Sequence, residues 1–122
     1  MIDASELATV SVALDKATLG VANKVTAAVT RGGIQIERDA RQRISGLAHA
    51  PAYPHSISSE VKITRGAIEA EVGPDKGRAQ GALGNLLEYG SVNNPPHPHL
   101  QPALDAEGVK FEAALLALVD LW

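Results

Sequence analysis

The residues of this chain best suited to chemistry are four histidines and one Glu-Tyr pair. His97 and His99 flank Pro98, while His49 and His55 lie on an earlier stretch. Alternate residues of an extended chain share a side, so His97 and His99 could both face one metal ion. A catalytic zinc takes three protein ligands and a structural one four, and nothing in the spacing brings the two histidine segments together. The histidines are therefore expected at the surface or an interface, with no metal and no cofactor. Glu88 and Tyr89 could place an acid beside a phenol, but no partner group accompanies them. The chain carries no nucleophile elbow, no phosphate-cradling loop with its lysine and no paired-histidine zinc helix. It has no cysteine, which removes disulfides, thiolate zinc sites and cysteine nucleophiles together. No enzyme activity is expected.

The 122 residues suit one domain spanning 1–122. Apolar residues make up 45% of the chain and aromatics only 3%, so the core must be built from Ala, Val, Leu and Ile. A net charge of -3 argues against duplex DNA binding, which needs a concentrated basic patch. The nearest approach is Arg31, Arg38, Arg41 and Arg43, interleaved with Glu37 and Asp39; this reads as a solvated mixed-charge helix face. The alternative is a small nucleic-acid-binding or regulatory module using the Arg31–Arg43 face, which would bind DNA in a salt-sensitive way. No stretch approaches the roughly 18 apolar residues of a membrane span, and Met1-Ile2-Asp3 lacks the features of a signal peptide. Neither membrane insertion nor secretion is expected.

Periodicity places the elements that must position these residues. Asp3 and Glu6 have capping-box spacing, and Leu7, Val10 and Leu14 fall on one helical face, predicting a short first helix broken at Thr18–Gly20. Val21, Val25, Val29, Gly32, Ile36, Ala40 and Ile44 form one long helical stripe, bent at Gly32-Gly33 and ending near Gly46. Leu47 to Ser56 contains two close prolines and reads as a loop. Val61 and Ile63, then Ile68, Ala70 and Val72, alternate with charged residues around Arg65-Gly66, predicting a hairpin. Its register puts Ile63 opposite Ile68 and Val61 opposite Ala70 on a buried side, Lys62 opposite Glu69 as an ion pair, and Glu60 against Glu71. A polar loop to Gln80 and a short helix over Ala82–Tyr89 follow. Asn93 to His99 must be extended because each X-Pro step disfavours helix. A last helix starts near Pro102, with Leu104, Gly108, Phe111, Leu115, Leu118 and Trp122 on one face. The expected fold class is α+β: a long N-terminal helix and a C-terminal helix packed on a small antiparallel sheet containing the hairpin, with an extended proline-rich arm.

One block is more specific. Leu86-Leu87-Glu88-Tyr89-Gly90-Ser91, a polar spacer, then Pro96-His97-Pro98-His99-Leu100-Gln101-Pro102-Ala103 resembles the head-tail connector, neck or tail-completion proteins of long-tailed bacteriophages. The order of elements agrees, including a strand pair that ends in Val72-Gly73-Pro74. The chain departs from the family pattern at His99, where an aromatic is usual, near Leu83, where a Tyr or Phe is frequent, and at Pro54-His55-Ser56-Ile57, which replaces a Thr-Gly-x-Leu step. The resemblance implies a structural virion protein that forms a homomeric ring, sixfold in the family, and joins head to tail. Its implied partners are its own copies, neighbouring neck and tail proteins, and genomic DNA passing through the lumen without specific binding. Its implied location is the virion, with assembly in the host cytoplasm.

The residues themselves say how such a block would work. Pro95, Pro96, Pro98 and Pro102 stiffen the segment, so it loses little entropy on docking. Gly90 is expected to supply a positive φ, and Glu88 to cap backbone N–H groups of the loop. The expected contact surfaces are the hairpin, with Ile63 and Ile68, and the arm, with Glu88, Tyr89, Gly90, Pro96, His97, Pro98, His99, Leu100 and Pro102. Removing Ser91–Gln101 is expected to leave a folded monomer that cannot enter particles.

Overall fold

The computed structural model describes residues 8–13, 19–64 and 67–119. Its element order is β1 (Ala8–Ala13), α1 (Leu19–Arg43), a 3-10 turn (Tyr53–Ser56), β2 (Ile57–Thr64), β3 (Ala67–Pro74), a second 3-10 turn (Gly81–Leu83), α2 (Gly84–Tyr89) and α3 (Leu100–Val119). The sheet has three antiparallel strands in the order β1-β3-β2. The α+β class and the two long helices packed with a small sheet are as the sequence predicts.

The first element is not. Residues 8–13 form a strand, with Val10 at the register position opposite Ala70 and Val12 opposite Ile68. The three apolar positions that suggest a helix there compete with Thr9-Val10-Ser11-Val12, an alternating run rich in β-branched residues. The open edge of β3 supplies the ladder partners that decide the contest. Asp3, Glu6, Leu7 and Leu14 lie outside the described residues, as do Arg65-Gly66 and Trp122.

Helix α1 carries the core stripe. Val25, Val29, Ile36, Ala40 and Ile44 are each at most 1% exposed, and the helix runs without interruption through Gly32 and Gly33. The absent side chains admit two close neighbours. A Cβ on Gly32 would lie 2.9 Å from the Phe111 ring of α3, and one on Gly33 would lie 2.9 Å from the Ala70 Cβ of β3. The glycine pair thus sets the spacing of α1 from the last helix and from the sheet at one level. Beyond the helix, Gly46 has φ +86, as a C-terminal glycine should.

The hairpin register is as predicted, with Ile63 opposite Ile68, Val61 opposite Ala70, Lys62 opposite Glu69 and Glu60 opposite Glu71. Its burial is not. Ile68, Ala70 and Val72 on the central strand are buried, but Val61 is 38% and Ile63 70% exposed. The helical layer covers β3 and only the base of β2, where Arg41 donates to the Ile57 carbonyl (2.6 and 3.1 Å). The distal half of this edge strand runs beyond that cover. The expected Lys62–Glu69 pair is also replaced: Lys62 Nζ lies 2.8 Å from Glu71 Oε2, a diagonal contact. That bond and the Glu71 charge raise the Lys62 pKa, and the ammonium relieves the Glu60–Glu71 opposition from within the same chain.

Two substitutions test the packing at the glycines. Gly33→Val should cost roughly 1–3 kcal/mol through overpacking against the sheet. Gly108→Ala, in α3 with open space around it, should add about 0.5–1 kcal/mol through helix propensity. Urea unfolding of the two variants beside the parent chain measures both.

Candidate functional site

The block from Glu88 to Ala103 is organised by the end of α2 and the start of α3. Helix α2 closes with the Gly90 N–H on the Leu86 carbonyl (2.8 Å). Gly90 then leaves with φ +77, the positive value expected of it. The arm folds back over this residue: a Cβ there would lie 2.8 Å from Pro96 N and 2.9 Å from Asn94 O. Ser91 and Asn94 exchange backbone hydrogen bonds (2.9 and 3.3 Å), and His97 N–H donates to the Leu87 carbonyl (2.6 Å). The proline-rich segment is therefore an exposed loop held at both ends.

Glu88 holds the far end. Its Oε1 accepts from the backbone N–H of His99 (3.0 Å) and Leu100 (2.9 Å), and its Oε2 from Gln101 (3.3 Å). These are donors that a helix start leaves without partners. The next residue, Pro102, has no N–H, and the regular ladder begins with Ala103 N–H on the His99 carbonyl. Every donor of the first turn is thus either capped or absent. The helix begins at Leu100 rather than near Pro102, so the proline stands third in the helix, still within the tolerated first turn. A carboxylate at this end also complements the positive pole of the helix.

His99 extends the network inward. Its ring is fully buried, with Nε2 2.7 Å from the Tyr53 hydroxyl and Nδ1 2.9 Å from the His97 carbonyl and 3.0 Å from Glu88 Oε1. Nδ1 faces only acceptors, so it carries the proton, and Nε2 accepts from the Tyr53 O–H. The two rings meet edge to face, centroids 5.2 Å apart at 88°. Burial holds the His99 pKa below the ordinary 6.5 despite the His97 carbonyl and the Glu88 charge. The expectation of a surface or interface histidine fails at this position, because the imidazole occupies a buried aromatic slot between the arm and the Tyr53 turn. Tyr53, fully buried, had no role in the sequence reading. A buried imidazole needs hydrogen-bonding partners, but no local signal in the sequence marks Tyr53 as one.

The expected contact residues divide into three sets. Ile68, Glu88, His99 and Leu100 face the interior of the chain, at most 6% exposed. Ile63, Tyr89 (71% exposed), Pro96, His97 and Pro98 face outward, and Gly90 and Pro102 are half-buried. Val92, at 101% exposure, joins the outward set. Removal of Ser91–Gln101 would delete buried His99 and Leu100 and every donor held by Glu88, so this geometry favours an unfolded product over the folded monomer expected from the sequence.

Beside the arm, a cleft of ≈ 300 Å³ is lined by Leu47, Ala48, His49, Ala50, Leu83, Leu86, Leu87, Asn94, Pro95 and His97. His49 and His97 both line it, while His99 is buried in the core. No cluster of three or more metal-binding side chains occurs among the described residues. The arginines are partly engaged within the chain: Arg43 Nε lies 2.5 Å from Asp39 Oδ1, and Arg41 lies 3.9 Å from Glu37 besides holding the Ile57 carbonyl. Arg31 and Arg38 are exposed.

No protein-family model, curated protein or solved structure matches the chain. No helix among the described residues is long and apolar enough to cross a membrane.

The capping network generates two outcomes. Glu88→Ala should cost about 3 kcal/mol, since buried donors lose a charged acceptor, with Glu88→Gln losing less. His99 is neutral when folded, whereas the unfolded chain takes up its proton near pH 6.5, so stability should fall as the pH drops below that value. His99→Phe should lower stability at neutral pH and flatten this acid limb. Unfolding midpoints measured from pH 8 to pH 5 for parent and variant test the sign.

Proposed function

We propose that this chain is a structural subunit of a long-tailed phage, forming a homomeric ring at the neck or head-proximal end of the tail. The observation that carries the reading is how the Glu88–Ala103 block is used. Its buried members build a rigid junction, and its exposed members form a tethered loop with Tyr89, Val92 and prolines outside. A loop already ordered by Gly90, by the Ser91–Asn94 pair and by the His97–Leu87 bond loses little entropy when a neighbour covers it. The exposed Ile63 and Val61 at the hairpin end offer a second apolar contact on a different part of the surface. Two dissimilar patches suit a heterologous, ring-closing interface. The net charge of -3 suits a lumen through which DNA slides without sticking. The Arg31–Arg43 face is a weaker basis for a DNA-binding module, because Arg41 and Arg43 are spent on contacts within the chain.

The reading is tested on particles that lack this protein, imaged by negative stain beside intact ones. Filled heads and separate tails that fail to join are expected; normal, infectious particles would remove the neck assignment. Complementation with Ile63→Asp or Val92→Asp, both at exposed sites, should yield folded protein that is not incorporated.

A further inference from the structure

Helix α3 is apolar on two faces. One face, with Leu104, Phe111 and Leu118, packs against the core. The opposite face carries Ala106, Val109, Ala113 and Leu116, spaced three, four and three residues apart, and all four are exposed. Val109 is 71% and Leu116 60% exposed. A helix that is apolar all round is normally covered all round, and this spacing is that of a coiled-coil seam. With Ala106 and Ala113 at a and Val109 and Leu116 at d, Lys110 falls at e, and Asp105 and Glu112 at g. All three charged residues are exposed.

We infer that the outer face of α3 is a contact surface for α3 of a second copy of this chain, with the two helices parallel. The flanking charges choose both occupant and polarity. In a parallel pair each g residue faces the e residue of the next heptad on the partner, so Asp105 of one copy meets Lys110 of the other. In an antiparallel pair like positions face each other, and Asp105 and Glu112 would meet the same carboxylates of the partner. Lys110 already pairs with Glu107 of its own helix (Nζ to Oε1 3.5 Å), but its side chain is 71% exposed and can be shared with a second carboxylate. Asp105 accepts from Gln101 Nε2 (2.9 Å) and stays exposed. The alanines at a let the helices approach closely.

The seam is four residues long, too short to hold free helices together. Here the domain has already ordered the helix, so the contact needs only to add surface. A seam that uses the same face on both copies is isologous and closes a pair rather than a ring, so this contact is separate from the heterologous one proposed above. The inference rests on this helix alone and stands or falls without the phage assignment.

Cysteine cross-linking of the full chain tests it, since the native sequence contains no cysteine. Ala106→Cys alone and Leu116→Cys alone should each give covalent dimers under mild oxidation. An equimolar mixture of the two should give same-site dimers and no mixed product. Dimers formed only in the mixture would mean antiparallel packing, and no cross-linking in any sample would mean that the face is not a self-contact; either overturns the proposal. Sedimentation equilibrium supplies the charge test. Lys110→Glu should weaken self-association by about two- to threefold, and the swap Asp105→Lys with Lys110→Glu should restore it. A swap no better than the single change, in protein with unaltered circular dichroism, would overturn the proposed pairing.

Discussion

The structure depends most on one buried carboxylate at the start of α3. Glu88 accepts three backbone N–H bonds there and is 6% exposed. Without it, His99 and Leu100 would present unpaired donors in a buried setting, where each such group costs about 1–3 kcal/mol. Because Glu88 stands on α2 and its donors at and just before the start of α3, the cap also fixes the distance between those two helices. The loop between them then has little freedom left, and the prolines remove most of what remains. A side chain on Gly90 would collide with Pro96, so the tight return of the arm needs that glycine as much as it needs the carboxylate.

The network continues where a wholly apolar core would have stopped. His99 is buried as an aromatic would be, yet its two nitrogens require partners, and the Tyr53 hydroxyl and the His97 carbonyl provide them. Tyr53 belongs to the turn that leads into β2, so the polar chain Tyr53–His99–Glu88 links the base of the sheet to the capped helix. Its polar groups are satisfied only in one arrangement, which adds uniqueness to a core otherwise made of small aliphatic side chains.

Much of this fold was legible in the sequence, and the misses have definite causes. Regular periodicity over many turns gave α1 its extent and its buried face, and cross-strand complementarity gave the hairpin register. Gly90 could be read because a sharp exit from a helix needs positive φ. Three features depended on what lies around an element rather than within it. Residues 8–13 became a strand because β3 had an edge to offer. Val61 and Ile63 alternate as buried residues do, yet the helices above do not reach them; alternation reports which face a residue is on, not whether that face is covered. Glu88 was readable as a cap, but its targets were not, since nothing local marks Leu100 as the first residue of α3.

The same distinction governs the outside of the molecule. Exposed apolar residues occur singly on most proteins and need no explanation. On this chain they group at the hairpin end, on the arm and along the outer face of α3. The three groups differ in what they can support. The hairpin end is an edge strand, where further pairing could add backbone hydrogen bonds. The arm is a stiff loop whose prolines offer few donors, so shape must supply most of its selectivity. The α3 face has regular spacing and a signed charge pattern, and it alone specifies polarity as well as contact. All three are held in one frame by the capped junction and by the glycine pair that seats α1 against Phe111 and Ala70. A frame that rigid makes the relative placement of the patches a property of the single chain, so several weak contacts can act together between copies without each having to be strong.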